Sequence, residues 1–255
     1  MSYEFLSTNR DGPVEYLTLN RPDVRNAFNE HVIRELTEWA ARTRAAAERH
    51  EVRIVVLAGA GTTFCAGADV TWMSKTVQYT EDENVRDASA MSHMFGALDQ
   101  LPLALVGRIQ GAALGGGAGL AAICDIVIAA DDALFGFSEV KLGILPAVIS
   151  PFVLAKIGAH ARRYFTTGER FDAEAALRIG LVHELADDVA GAVARIVREV
   201  LQSGPAAVRA AKRLALDEPA DGEELARLAA GLRAGAEGQE GLLAFLEKRE
   251  ASWRR

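Results

Sequence analysis

Residues 103–129 read LALVGRIQGAALGGGAGLAAICDIVIA, and this stretch decides the fold class of the chain. The apolar run at 103–109 predicts a buried strand. A glycine-rich segment then leads into a very short helix that ends at Ile123, and the apolar run at 125–129 predicts the next strand. The stretch therefore alternates strand, short helix and strand.

The same alternation precedes this stretch. Apolar residues recur at helical spacing from Asn29 onward, residues 54–58 form a β-branched run, and a second helical pattern covers about 84–99. Such alternation is typical of an α/β fold with parallel strands buried on both faces. We therefore expect that fold class.

The beginning of the chain predicts structure and not a targeting signal. Two strand-like runs at 3–8 and 14–20 flank Asp11-Gly12-Pro13, whose residue types favour a turn, so they predict a hairpin. Residues 1–12 lack a basic region followed by an apolar run, and the chain has no uncharged apolar stretch of about 18 residues. We expect a cytoplasmic protein without a membrane partner.

The character of the sequence changes after Ser150. Helical patterns continue almost without interruption to Trp253, apart from residues 180–183. We therefore expect a strand-containing core over residues 1–190 and a helical oligomerisation region over 191–255. An apolar stripe in that region must be covered either by the same chain or by a neighbouring subunit, and the pattern leaves both possibilities open. Its members are Leu225, Leu228, Leu232, Leu242, Phe245 and Leu246.

Composition excludes several classes of protein. With 255 residues, half of them hydrophobic, the chain can bury a sizeable core, which excludes general disorder. A formal net charge of -7 without a basic stripe disfavours nucleic acid as a partner. The two cysteines, Cys65 and Cys124, show no metal-ligand spacing with the five histidines, so we expect no metal site.

A first candidate segment is TFCAGAD at 63–69, which follows a strand and ends at a possible helix start. Asp69 could cap that helix, and the backbone N–H groups of the small residues could face a developing negative charge. Cys65 could be a nucleophile, but its neighbours are apolar and no histidine is near in sequence. A packed structural thiol is the favoured interpretation of Cys65.

The second candidate segment is QGAALGGGAG at 110–119. So many glycines cost backbone entropy, which requires a reason. One reason is close packing of a helix on a sheet, and the other is a second set of free backbone N–H groups that a ligand can approach. A dinucleotide site is excluded because the helix that follows is too short for a unit of about 30 residues.

The third candidate segment is FGFSEVKLGILP at 135–146. Apolar neighbours would desolvate the Glu139 carboxylate and raise its pKa toward the range that suits proton transfer. The alternative is an ordinary surface glutamate paired with a lysine. Two amide donors and one acid/base, without a nucleophile, metal or redox group, suit chemistry through an enolate.

These segments, from about Val14 to Arg249, resemble the crotonase superfamily, the enoyl-CoA hydratase/isomerase family. The resemblance implies a crotonase-like ββα spiral core with a helical C-terminal part. It also implies that the amides of Ala68 and Gly116 form the oxyanion hole for a thioester carbonyl and that Glu139 is the acid/base. The substrate would be an acyl-CoA thioester, with coenzyme A as part of the substrate and no other cofactor.

The same resemblance implies the coenzyme A contacts and the assembly. Backbone at Arg25 and Ala27, and from Ala66 to Asp69, would hold coenzyme A. Lys248 in the C-terminal tail would reach its phosphates, often across a subunit boundary. A homotrimer or a homohexamer is expected.

One position departs from the pattern of the family. Typical hydratases have two glutamates, and this chain has Gly119 in place of the first. Residues 140–151 and 161–171 resemble bacterial methylglutaconyl-CoA hydratases of leucine degradation, which predicts that substrate. We hypothesise that Gly119 leaves room for the free carboxylate of the substrate. The alternatives are a 3-enoyl-CoA to 2-enoyl-CoA isomerase and a non-catalytic acyl-CoA-binding paralogue.

Overall fold

Two β-sheets organise the part of the chain that the computed structural model describes, residues 3–216 and 221–254. The strands are β1 (Leu6–Asp11), β2 (Val14–Leu19), β3 (Ile54–Gly59), β4 (Ala104–Ile109), β5 (Ala112–Leu114), β6 (Ile126–Ala129), β7 (Leu134–Gly136), β8 (Arg170–Asp172) and β9 (Glu184–Leu185). The helices are α1 (Glu30–Glu48), α2 (Val70–Thr76), α3 (Glu81–Asp99), α4 (Gly116–Ile123), α5 (Ser150–Ile157), α6 (Ala161–Thr167), α7 (Ala173–Arg178), α8 (Val189–Gln202), α9 (Pro205–Leu216), α10 (Gly222–Ala234) and α11 (Ala236–Leu246).

The larger sheet has six strands in the order β1-β2-β3-β4-β6-β9, and all neighbours except β1 and β2 are parallel. Alternate residues of β3 face opposite layers. Val55 and Leu57 belong to the core cluster that includes α1 and α3, whereas Ile54 and Val56 pack in a second cluster with Val193 of α8. The predicted α/β fold with parallel strands buried on both faces is therefore confirmed.

The N-terminal hairpin forms, but its first strand begins later than predicted. β1 pairs with β2 from Leu6 opposite Leu19 to Asp11 opposite Val14. The N–H groups of Glu4 and Phe5 instead donate to the Glu35 carboxylate of α1, each at 2.9 Å. Because these donors are used by a helix, the start of the predicted strand lies outside the ladder.

The smaller sheet, in the order β5-β7-β8, was missed by the sequence patterns. Each of its strands has three residues, which is too short for an alternating apolar pattern. β8 and β9 also interrupt the region after Ser150 that was predicted to be almost entirely helical. The smaller sheet places the first half of the glycine-rich segment, as β5, beside the strand that precedes Glu139.

The C-terminal helices leave an apolar surface uncovered. The predicted stripe lies on α10 and α11, and its six members are between 37% and 81% exposed. The predicted boundary at residue 190 falls near the start of α8. The division into a core over 1–190 and an oligomerisation region over 191–255 stays a prediction. Met1, Ser2, residues 217–220 and Arg255, which belong to those predicted regions, lie outside the described residues. None of the described helices is long and apolar enough to span a membrane.

Candidate active site

Two isolated parallel β-bridges bring the first two candidate segments together. Cys65 pairs with Ala113, so the N–H of Cys65 donates to Ala112 and the N–H of Leu114 donates to Cys65, both at 3.0 Å. Phe28 pairs with Ala68. These bridges hold residues 65–68 between the loop before α1 and the glycine-rich segment.

The N–H groups of Ala68 and Gly116 are free for a ligand. In the Phe28–Ala68 bridge, Phe28 donates to the Gly67 carbonyl and accepts from the N–H of Asp69, both at 2.7 Å. The N–H of Ala68 has no acceptor among the described residues, and Gly116 is the first residue of α4, where an N–H has no partner within the helix. The geometry supplies two backbone donors, one of them at a positive helix end.

The glycine-rich segment combines both predicted features, close packing and a backbone N–H that a ligand can approach. A Cβ at Gly117 would lie 2.4 Å from the Cys65 carbonyl oxygen, and one at Gly111 would lie 2.1 Å from the Thr62 carbonyl oxygen. These two glycines are required by close packing of the two segments. Gly116 both packs against the Phe28 ring, 2.7 Å from a Cβ placed there, and lines a cavity.

Glu139 lies half-buried in that cavity, with no cation beside it. Its Oε2 is buried and has no hydrogen-bond partner among the described residues. Its Oε1 would lie 3.1 Å from a Cβ at Gly115, which places the carboxylate next to the glycine-rich segment. Burial raises the pKa of Glu139 above its usual range, and only a backbone hydrogen bond opposes that effect. The alternative interpretation of Glu139, a surface glutamate paired with a lysine, is therefore wrong.

The cavity has a volume of about 320 Å³ and a largely apolar wall. Besides the two donors and Glu139, it is lined by Phe28, Ala66, Gly67, Trp72, Met73, Met91, Leu114, Gly115, Ser138, Leu142, Ile144, Leu145, Pro146, Ala147, Val148, Ile149 and Arg170. Low polarity strengthens the interaction of the amide donors with a developing oxyanion. The cavity thus combines a largely apolar wall with one partly desolvated carboxylate and two backbone donors.

Residues 9–255 match the enoyl-CoA hydratase/isomerase family model. The chain belongs to the enoyl-CoA hydratase/isomerase family. A protein of Mycobacterium tuberculosis named "Probable enoyl-CoA hydratase echA8" is 34% identical over 260 residues, covering 98% of this chain and 97% of that protein. The crystal structure of an enoyl-CoA hydratase from Shewanella pealeana has a TM-score of 0.93 at 36% identity, with 98% of this chain and 96% of that chain covered. Pseudomonas aeruginosa AtuE has the same TM-score at 38% identity, with 99% and 100% covered.

The position of the missing glutamate in this family member is closed, so the hypothesis that Gly119 leaves room for a substrate carboxylate is wrong. A Cβ at Gly119 would lie 2.4 Å from Ile149 Cγ2 and 3.1 Å from Phe95 Cε1. Both neighbouring side chains are buried. Ile149 fills the space and forms part of the cavity wall.

Of the residues expected to hold coenzyme A, three line the cavity: Ala66, Gly67 and Ala68. Arg25 and Ala27 are outside its lining as far as the structure is described. The Arg25 carbonyl accepts from the N–H of Ala66 at 3.0 Å, and the Ala27 carbonyl accepts from the Arg21 guanidinium at 2.6 Å. Asn26 ties this loop to the chain after β3 by donating to Ala60 and Thr63 at 2.8 and 2.7 Å. Arg25 is thus bonded to the cavity-lining Ala66, and the predicted contacts of Arg25 and Ala27 with coenzyme A stay predictions.

The Asp69 carboxylate is used within the fold. It accepts from the N–H of Thr71, which caps α2, and from the Arg21 guanidinium, both at 2.8 Å. Burial raises the pKa of Asp69, but these two interactions outweigh burial and hold the pKa below its usual range. The predicted helix cap at Asp69 is therefore confirmed. No local sequence pattern indicated the ion pair between Asp69 and Arg21.

Lys248 is exposed just after α11 and is absent from the cavity wall of this single chain. Its contact with coenzyme A stays a prediction. Cys65 is fully buried, and burial raises the pKa of its thiol to about 12, which supports the structural interpretation of this thiol. Within residues 3–216 and 221–254, no group of three or more His, Cys, Asp and Glu side chains could hold a metal ion.

Ile149 and Arg170 are among the cavity residues that the sequence analysis did not assign to the site. Ile149 follows Pro146 in an apolar run that could have indicated a cavity wall. Arg170 reaches the cavity because β8 pairs with β7, which ends just before Phe137 and the candidate acid. No local pattern around Arg170 indicates that pairing.

Proposed function

We propose that this protein is a lyase that adds water across the double bond of a 2-enoyl-CoA thioester. The observation that carries the proposal is the partnerless, buried carboxylate oxygen of Glu139 in the same cavity as the free N–H groups of Ala68 and Gly116. A desolvated carboxylate is a stronger base than one in water, and the two donors match the thioester oxygen that becomes negative.

One carboxylate is sufficient for the proton transfers of this addition. Ionised Glu139 takes a proton from water while the water oxygen bonds to the β-carbon. The electron pair of the double bond moves toward the thioester, whose oxygen becomes the enolate oxygen held by the amides of Ala68 and Gly116. Protonated Glu139 then gives its proton to the α-carbon, which restores the carboxylate and leaves the 3-hydroxyacyl-CoA.

The finer proposal is that the acyl group is methylglutaconyl, as in leucine degradation. It is supported by the resemblance of residues 140–151 and 161–171 to methylglutaconyl-CoA hydratases. Coenzyme A belongs to the substrate, and the proposed steps need no other cofactor. The position of Gly119 does not support this proposal, because Ile149 fills the space beside it.

A 3-enoyl-CoA to 2-enoyl-CoA isomerase is the second candidate. The observation that favours it is that Glu139 is the one carboxylate in the cavity wall formed by the described residues. An isomerase would use Glu139 to take a proton from the α-carbon and return it to the γ-carbon. This reaction needs no water at the β-carbon.

Assembly into a homotrimer or homohexamer is part of the proposal. Exposed leucines on α10 and α11, together with Phe245 at 81% exposure, form a surface that a subunit contact would cover. Such a contact could bring Lys248 to the coenzyme A phosphates of a neighbouring active site.

The test is to incubate wild type and Glu139→Gln with crotonyl-CoA, methylglutaconyl-CoA and a 3-enoyl-CoA. We expect hydration by wild type and a loss of at least about a hundredfold in kcat for the variant, because only proton transfer is removed. Isomerisation without hydration would favour the second candidate. Equal inactivity of both proteins with intact CoA-ester binding would identify a binding paralogue, and full activity of Glu139→Gln would refute the role of Glu139.

A further inference from the structure

Arg170 is the charged residue of the described cavity wall that the proposed reaction does not use. It starts β8 and lies opposite Gly136 of β7. A Cβ at Gly136 would lie 3.3 Å from Arg170 Cγ, so the absence of a side chain there leaves room for the arginine stem to lie across β7. The pairing of β7 and β8 thereby places a cation at the wall of a largely apolar cavity.

The guanidinium of Arg170 has no protein partner among the described residues. The neighbouring Glu169 pairs with Arg163 at 2.6 Å. The carboxylate of Asp172 caps α7 by accepting from the N–H of Ala175 at 2.8 Å. No cation lowers the pKa of Glu139, which burial raises, so Arg170 does not neutralise the proposed acid/base.

Arg170 is exposed at the edge of this wall, so its unpaired guanidinium is accessible to a ligand that carries its own anion. A carboxylate inside an apolar cavity is costly unless it is paired, and arginine can bind it through two parallel hydrogen bonds. Glu139 and Arg170 are the charged residues of the wall as far as the structure is described. With Glu139 at the reacting carbons, Arg170 remains to bind a second charged group of the substrate.

We propose that Arg170 is a specificity-determining residue that binds a carboxylate at the distal end of the acyl chain. The preferred substrates are then CoA thioesters of unsaturated dicarboxylic acids. This inference rests on the proposed function and names the residue that selects its substrate class. The phosphates of coenzyme A are the other anions that the guanidinium could meet, and they are common to every CoA ester.

Glutaconyl-CoA and trans-2-pentenoyl-CoA form a matched pair of substrates, because they differ only by a carboxyl in place of the terminal methyl group. We expect Arg170→Met, which removes the charge and keeps an unbranched stem, to lower the ratio of their kcat/KM values at least about tenfold. Arg170→Lys should retain part of the preference. Arg162→Met is the matched control, since Arg162 is an exposed arginine of α6 outside the cavity wall, and it should leave the ratio unchanged.

An unchanged ratio in Arg170→Met would overturn the proposal. A proportional loss for both esters would instead assign Arg170 to the coenzyme A phosphates or to the positioning of Glu139. Calorimetric titration with the saturated esters glutaryl-CoA and pentanoyl-CoA separates this inference from the proposed reaction, because binding needs no turnover. Wild type should bind glutaryl-CoA more tightly, and Arg170→Met should lose that preference even if the enzyme hydrates neither ester; equal affinities in wild type would refute the inference.

Discussion

The contact between Gly119 and Ile149 predicts a measurable coupling between the two positions. Gly119→Ala adds a Cβ 2.4 Å from Ile149 Cγ2, and such overpacking costs about 1–3 kcal/mol in a buried site. Alanine gains about 1 kcal/mol over glycine within a helix, which offsets part of this cost. Ile149→Ala alone should cost about 2–5 kcal/mol, because it leaves a cavity beside Phe95.

In the double variant, the new Cβ enters space that Ile149 Cγ2 has left. The Cβ of residue 149 and Phe95 Cε1 still lie 3.0 and 3.1 Å from the new Cβ, so the overpacking cost should fall without vanishing. The double variant should therefore be more stable than the sum of the single effects by about 1 kcal/mol. The helix propensity gain is present with either residue at 149 and cancels from the coupling. Ile149→Val is the matched control, because valine keeps Cγ2; its coupling with Gly119→Ala should be much smaller.

The assay is urea unfolding of the variants at one fixed protein concentration, followed by circular dichroism. Additivity within about 0.5 kcal/mol in the alanine cycle would refute the reasoning, since Ile149 would then not be what closes the position. The same contact predicts that Gly119→Glu alone cannot create a two-glutamate site. Its larger side chain would meet Ile149 before reaching the cavity.

Four further predictions concern the acid/base, one backbone donor and the cysteines. The rate kcat/KM should fall as pH is lowered through the raised pKa of Glu139, at a higher pH than for an ordinary glutamate. Since the folded state raises the pKa of Glu139, the ionised carboxylate destabilises the fold above that pKa. Thermal unfolding should therefore show Glu139→Gln to be more stable than wild type at pH 7. The difference should vanish below about pH 4, where the carboxyl is protonated in both the folded and the unfolded state. Gly116→Pro should have a kcat at least about a hundredfold below that of Gly116→Ala, because both variants add a Cβ near Phe28 but only proline removes the N–H. Equal losses of kcat in the two folded variants would show that the Gly116 N–H is not an oxyanion donor. Cys65 and Cys124, each buried with a thiol pKa raised to about 12, should react with a disulfide reagent only after unfolding, and rapid reaction of the native protein would contradict that burial.

Local patterns predicted the elements that rest on local causes. The start of α1 at Glu30 follows from Asn29, whose side chain accepts from the N–H groups of His31 and Val32 at 3.1 and 2.9 Å. The buried strand at 54–58 is observed as β3 over Ile54–Gly59. The three candidate segments also meet at one cavity, as the predicted combination of two amide donors with one acid/base requires.

The rest of the site depends on contacts between distant parts of the chain. Ile149 closes the position at 119 across 30 residues, and Arg170 reaches the cavity through its pairing with Gly136. Neither contact changes the local pattern of apolar and polar residues. The sequence could therefore indicate that a glutamate is missing at 119, but not that a neighbouring side chain has filled its space.

The donors at Ala68 and Gly116 belong to the main chain, and the bridges from Phe28 and Cys65 hold them in place. A point mutation that changes a side chain does not remove a backbone N–H unless it introduces proline. Mutations in the cavity wall at positions such as 149 or 170 therefore leave in place the N–H groups that we propose bind the thioester oxygen. In evolutionary terms, recognition of the acyl chain can diversify while activation of the thioester is inherited intact.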